Sequence, residues 1–493
     1  MRKLAGLMSV VLLILAFSVF TGCGGPGGNN QQLQKYNVIF NTNGGSAVPF
    51  VRVSSGDKVQ APAAPVREDY TFEGWYGNSG LTARVTFPIT VTQNTTIYAK
   101  WTWIECYEIR TPSQLYNIRN NLAGDYRLFA DISLSSYANW EPIGTDSAPF
   151  RGKINGNGHK ITGLKIDRIA EVFVGLFGYV NGGEISNLTL ENVDIYGGVV
   201  GAIAGYVENG RITNCHSTGN IEAVLIAGGI AGYLIYSDIT DCHSTGDIVS
   251  DLYDLENLGM MAAGGIAGRA DSSTITKSYS TGEILSYSNS GGIAGLAWDS
   301  SITGCYSTGS INAVFYSGGI AGATLGSDIT DCYSTGEIAL GLFSGGIAGY
   351  IEEGTITNSY SRGNINAEFS SGGIAGHVLG GTIITNCAAI NRKINSTISS
   401  TSDAGRIVGS ISSYLSISNN FALNTMQATG VPFDTDPRNH GVSKTDAELK
   451  TQSTYSGAIE GDGLGGLGWK FGNSDAAPWK MPAGGGYPIL YWQ

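Results

Sequence analysis

A phrase close to "GGIAG" returns along this chain with its last glycine at Gly205, Gly232, Gly268, Gly295, Gly322, Gly349 and Gly376. About nine residues after its isoleucine comes a second phrase, close to "ITxCYSTGxI". Counted from Gly178, the glycine intervals are 27, 27, 36, 27, 27, 27 and 27. A repeat this short, made of β-prone pieces punctuated by glycine, cannot bury its own apolar face and must stack on its neighbours, so the chain is a solenoid. The nine extra residues fall between Ile248 and Gly264. They are expected to leave the coil as a loop, because both flanking strands keep their phrase.

Alternation within the second phrase predicts which side chains face inward. Ile212, Ile239, Ile275, Ile302, Ile329, Ile356 and Ile384 form an apolar column. Three residues on, Cys215, Cys242, Ser278, Cys305, Cys332, Ser359 and Cys387 form a column of small residues, also inward. The next position, His216, His243, Tyr279, Tyr306, Tyr333 and Tyr360, then faces out.

Composition agrees with stacking. Charged residues make up 14% of the chain, and there are 72 glycines. In a parallel stack with a rise of ~4.8 Å a charge would face its own copy, which favours Ser, Thr, Asn and Gly outside. The net charge is −12, or −14 once Arg2 and Lys3 leave with a leader, and basic clusters are absent. Nucleic acid and anionic lipid surfaces are therefore not expected as partners.

Residues 1–22 read as a lipoprotein signal peptide. Arg2 and Lys3 precede an apolar run from Leu4 to Phe20, too short for the ~20 residues of a spanning helix, and Phe20-Thr21-Gly22-Cys23 resembles a lipobox. Cys23 is the expected lipidation site, residues 23–35 form a flexible tether, and Gly24 favours the outer membrane.

Three bodies follow. Residues 36–102 are strand-rich, and "VIFNTNGGS", "APAAPVREDYTFEGWY" and "NTTIYAKW" resemble the Listeria-Bacteroides repeat, or internalin B-repeat, which implies a small β-grasp-like domain; Asp69 stands where that family has glycine. The aromatics here are expected in the core, and the unit to act as a spacer or binding module. Residues 103–423 are the solenoid, opened by a capping box at Thr111-Pro112-Ser113-Gln114 and a short helix carrying Leu115, Ile118 and Leu122 on one face. Its phrases resemble the GLUG motif of bacterial surface proteins, with "INGNGHKITGL" like the segment that precedes it. That resemblance implies an all-β fold, a right-handed parallel β-helix of nine or so 27-residue coils. Residues 424–493 lose the period. Thr445-Asp446-Ala447-Glu448 is a second capping box, and Trp469, Trp479, Pro488, Tyr491 and Trp492 are expected to cap the solenoid's end.

The chemistry admits several sites. The stacked cysteines favour free buried thiols, with Cys215–Cys242 and Cys305–Cys332 disulfides as the alternative. A metal site from Cys215, His216, Cys242 and His243 is disfavoured because alternation separates the two residue types, and no cofactor is expected. The candidate ligand face is Tyr279, Tyr306, Tyr333 and Tyr360, either a glycan-stacking surface or a purely structural ladder. The candidate contact loop carries Asp251, Tyr253, Asp254 and Glu256. Asp238, Asp241, Lys277, Asp328 and Asp331 flank the second phrase, and Lys277 is expected to stack beside Asp241 as a surface ion pair. "GDGLGG" at Gly461 matches GxGxxG without the flanking strand and helix that would give it meaning. There is no HExxH, the zinc motif of large IgA proteases that also carry GLUG repeats.

The expected function is that of a lipid-anchored, non-enzymatic envelope or cell-surface protein. Its β-helix would serve adhesion or interaction with a host or cell-surface glycan or protein. The alternatives are a carbohydrate-active enzyme on the same fold, using Asp241 and Lys277, and a periplasmic structural lipoprotein.

Overall fold

Each repeat closes one coil. Starting at Ala321, a coil runs through strands Ala321–Leu325, Asp328–Thr330, Tyr333–Ser334, Ile338–Leu340 and Phe343–Gly345. Ala348 then lies in parallel register beside Ala321. The computed structural model describes residues 34–67, 70–103, 106–250, 261–397, 403–412, 415–430, 432–433, 439–457 and 465–493. The chain divides into two units between residues 105 and 106.

In the second unit the coils stack into three faces. A nine-stranded sheet begins with Phe177–Asn181 and ends with Val408–Ile411, and a twelve-stranded sheet runs from Tyr107–Ile109 to Ser416–Ser418. The third face collects the remaining short strands of each coil. The predicted isoleucine column is continuous and fully buried, and it extends upstream to Ile185 and Ile154 and downstream to Ile417. At roughly 1.5–3 kcal/mol for each side chain buried, this column is a main source of the solenoid's stability.

The twelve-stranded face is bounded by two corners, and both use the left-handed backbone region. Before the strand stand Asn209, Tyr236, Ser272, Asp299, Gly326 and Glu353; after it stand Asn214, Asp241, Lys277, Gly304, Asp331, Asn358 and Asn386, all with φ between +46° and +62°. These turns direct the next backbone N–H toward the coil above, and a small polar side chain standing there accepts it. Ser237, Ser273, Ser300 and Ser327 do so at the first corner. At the second, Cys215 N–H donates to Cys242 Sγ, Cys242 N–H to Ser278 Oγ, Cys305 N–H to Cys332 Sγ and Cys332 N–H to Ser359 Oγ. Cys387 N–H finishes the series on Asn420 Oδ1. The small column therefore needs a compact acceptor as well as little volume.

The glycine phrase has a steric cause. A Cβ on Gly322 would stand 2.6 Å from Gly295 O and 2.7 Å from Ser290 N. No side chain fits where adjacent coils come this close.

The first coil is covered as expected by the helix Pro112–Tyr116 and the turn Asn117–Asn120, which bury Leu115 and Ile118 completely. Thr111 Oγ1 accepts from Gln114 N–H, while the Gln114 amide oxygen accepts from Arg110 N–H. At the other end Val442–Lys444 pairs with Phe421–Leu423. Thr445 and Glu448 form a reciprocal capping box before the turn Glu448–Lys450, and Leu449 and Tyr455 join the main core.

The first unit is a four-stranded mixed sheet. Lys35–Asn41 and Thr95–Trp103 form a central parallel pair, flanked by Val51–Ser54 and Tyr70–Tyr76 in antiparallel pairing. Phe40 and Trp75 are buried with ring centroids 5.1 Å apart, so the aromatic phrase builds the core.

Candidate functional site

The outward aromatic column forms a continuous ladder. Ring centroids are 3.7 Å apart for His216 and His243, 4.6 Å for His243 and Tyr279, 4.8 Å for Tyr279 and Tyr306, 5.1 Å for Tyr306 and Tyr333, and 4.9 Å for Tyr333 and Tyr360. Successive tyrosine rings lie within 4° of parallel. In-register pairing of identical residues imposes this spacing on the rings.

Most of the tyrosine ladder is covered by the chain's own C-terminal segment, residues 465–493. Tyr333 is 5% exposed and Tyr360 only 2%. Trp492 packs on Tyr279 and Tyr306, and Trp479 packs on Tyr333 and Tyr360. Trp469 stacks on Trp479 with centroids 4.5 Å apart. Hydrogen bonds fix the register: Tyr360 OH donates to Pro488 O, Gln493 Nε2 donates to Tyr333 OH, and Trp469 Nε1 donates to Asn386 O. Trp469, Trp479, Pro488, Tyr491 and Trp492 thus lie along the side of the coils instead of across their end. The reason is apolar area, since the ladder offers these rings a long aromatic surface. Of the predicted ligand face, Tyr333 and Tyr360 are sealed beneath this segment, and Tyr279 and Tyr306 are half-buried beside Trp492.

At the edge of the covering segment a cleft of about 350 Å³ remains. One wall is the threonine column Thr240, Thr276 and Thr303, in register on the outer side of the twelve-stranded sheet. The other is Pro478, Tyr491 and Trp492. Lys277 reaches across, but not to Asp241 as the sequence suggested: its ammonium lies 2.8 Å from Asp475 Oδ1, and Tyr491 OH donates to the same carboxylate. Asp241 and Lys277 both stand in left-handed turns, and the carboxylate that meets the Lys277 ammonium comes from the C-terminal segment. Lys277 and Tyr491 hold the Asp475 carboxyl below its ordinary range. Burial pushes the Asp331 carboxyl up, against the hydrogen bond it accepts from Trp479 Nε1.

A second aromatic stripe lies on the nine-stranded face, where the sequence reading placed no site. Tyr179, Tyr206 and Tyr233 lie in register, the first two rings tilted and the last two edge to face, followed by Arg269, whose guanidinium lies 4.9 Å from the Tyr233 ring centroid. Tyr179 OH donates to Glu208 and Tyr233 OH to Asp271, and Arg269 pairs with Asp271. The signal was the residue after each "GGIAG", where tyrosine recurs at positions 206, 233 and 350.

Cys215, Cys242, Cys305, Cys332 and Cys387 are buried free thiols, and burial raises the Cys387 thiol to about 12. His216 and His243 lie on the opposite side of the strand from these sulfurs. No group of three or more His, Cys, Asp or Glu side chains among the described residues could hold a metal ion. No helix among them is long and apolar enough to cross a membrane. Cys23, the contact loop of Asp251, Tyr253, Asp254 and Glu256, and residues 461–464 of the "GDGLGG" segment lie outside the described residues.

Comparison with known proteins agrees with both repeat resemblances. Residues 36–100 match the Listeria-Bacteroides repeat domain, and residues 225–249, 286–312 and 313–339 match the GLUG motif. Residues 113–219 match the N-terminal region of M26 IgA1-specific metallo-endopeptidases. A protein of Evansella cellulosilytica named as a candidate Gly-rich membrane protein is 42% identical over 92 residues, 17% of this chain and 11% of its own length. Halomucin of Haloquadratum walsbyi is 37% identical over 107 residues, 19% of this chain and 1% of its own. The chain therefore spans about a tenth or less of the curated relatives it matches. Among solved structures, that of a candidate immunoglobulin A1 protease from Bacteroides ovatus is 22% identical, with a TM-score of 0.37, over 79% of this chain and 93% of that one.

Proposed function

We propose that this chain is a lipid-anchored, non-enzymatic protein of the bacterial cell envelope, at the outer membrane or cell surface, whose solenoid binds glycan or protein through its outer faces. One observation carries the reading: hydroxyl side chains recur in register on the outer side of the twelve-stranded sheet, beside aromatic columns, and Lys277–Asp475 and Arg269–Asp271 form ion pairs among them. Such a surface suits contact with a neutral or mixed partner over several coils. The leader-like segment that precedes Cys23 supports attachment, as do the Listeria-Bacteroides repeat and two relatives named as membrane proteins.

Protease shaving of intact cells tests the location, with a Cys23→Ala variant and an internal periplasmic marker as controls. The expected result is loss of the solenoid while the marker survives. Complete protection would move the chain beneath the outer surface and favour a structural lipoprotein.

A second reading comes from the match of residues 113–219 to the IgA1-specific endopeptidase region, which would make the chain part of a proteolytic system. Incubation of the purified chain with IgA1 separates the two. Intact IgA1 after prolonged incubation is expected, and site-specific cleavage would overturn the non-enzymatic reading.

A further inference from the structure

We propose that the cleft between the threonine column and the C-terminal segment binds a neutral glycan chain, an inference that rests on the binding role above and names its site. The two walls are unlike in the way a sugar ring is. Thr240, Thr276 and Thr303 present one hydroxyl per coil, with Thr240 and Thr276 Oγ1 atoms 3.0 Å apart. Facing them, Pro478, Tyr491 and Trp492 present apolar surface. A pyranose has an apolar face of C–H groups and a rim of hydroxyls, so one face would rest on the aromatic wall while the rim meets the threonines.

Charge narrows the class. Lys277 and Asp475 neutralise each other across the cleft, so an anionic ligand finds no unmatched positive charge there. Asp331, at the cleft wall, supplies a carboxyl to accept a hydroxyl. Both walls are held before any ligand arrives. The threonines sit on strands paired on both sides, and Trp492 is braced by Tyr279 and Tyr306. A site ordered in advance loses less entropy on binding. The same pairing leaves no free strand edge at the cleft, which excludes an extended peptide added to the sheet. The threonine column continues to Thr213 in the preceding coil, so a polymer can run on beyond the cleft.

Affinity electrophoresis of the full chain tests this in gels containing soluble β-glucan, galactomannan or amylopectin, with polygalacturonate as the anionic comparison. Retardation by at least one neutral polymer is expected. It should weaken at least about tenfold in Trp492→Ala and in the double variant Thr276→Val/Thr303→Val. The valine pair removes hydroxyls at nearly constant volume and leaves the covering segment in place, so it decides the matter if Trp492→Ala loosens that segment. No retardation in any neutral polymer, retardation in polygalacturonate alone, or unchanged retardation of the valine pair would overturn the proposal. A chain shaved from cells but not retarded would refute the cleft alone, whereas one retarded but fully protected in cells would refute surface exposure alone.

Discussion

At the level of single residues the solenoid is held by its corners. Volume alone would let alanine or valine stand in the cysteine and serine column, but the N–H of the preceding coil needs an acceptor there. Cys305 illustrates both duties, since Ser278 N–H donates to its sulfur and its thiol donates to Thr303 O. Cys305→Ser should change stability by no more than about 1 kcal/mol, whereas Cys305→Val should cost about 2 kcal/mol by stranding Ser278 N–H in the core. Urea unfolding of the two variants checks the difference; equal costs would mean that the column selects for size only. The left-handed corners make a second prediction. Tyr236 is 65% exposed with φ +49°, a conformation that suits asparagine better than an aromatic residue, so Tyr236→Asn should stabilise the chain by about 1 kcal/mol. The smallness of this column was legible in the sequence, because serine and cysteine alternate in it. Its acceptor role was not, because that depends on the conformation of the residue before it.

Among the elements, the ladder and the segment lying on it form one cooperative piece. Trp479 is fully buried between the ladder and Trp469, so Trp479→Ala should cost about 3–5 kcal/mol. The loss should appear as release of residues 465–493. Hydrogen exchange at Tyr491 N–H, which donates to Pro478 O, should quicken while Ala348–Glu352 stays protected. The histidine end of the ladder responds to pH. Burial and the neighbouring His216 push His243 down to about 4, and burial also lowers His216. Between about pH 6.5 and 4 the unfolded chain therefore binds more protons than the fold, and stability falls as the pH falls through that window. Both rings are partly solvated, so the loss should be near 1 kcal/mol, far below the full shift. Replacing both with tyrosine, the residue of the next four coils, should flatten the pH profile between 6.5 and 4. Asp331 acts in the opposite sense, since its raised carboxyl costs stability as the pH rises, and it stays present in both proteins compared. Alternation foretold that the ladder faces outward. It could not foretell the cover, because the aromatic residues of the C-terminal segment follow no period that ties them to particular coils.

Over the whole chain, the fold was legible because stacking repeats one local decision. The isoleucine column, the glycine phrase and the outward ladder all follow from the 27-residue interval, and each is seen in the strand register. The site was less legible, since the cleft joins Thr276 and Lys277 to Tyr491 and Trp492 from a non-repetitive segment about two hundred residues away. Stacking also predicts that the solenoid is modular. Deleting residues 209–235, one whole coil outside the covered region, should leave a cooperative fold with a similar Tm, whereas deleting 209–222 should abolish it by breaking the register. The covering of the ladder is the claim on which the cleft and its ligand depend. Tyrosine nitration followed by peptide mass spectrometry measures it directly on the full chain and on a chain ending before residue 458. Tyr333 and Tyr360 should nitrate at least about tenfold more slowly than exposed Tyr236, and truncation should remove this protection. Nitration of Tyr333 and Tyr360 as fast as Tyr236 in the full chain would contradict it.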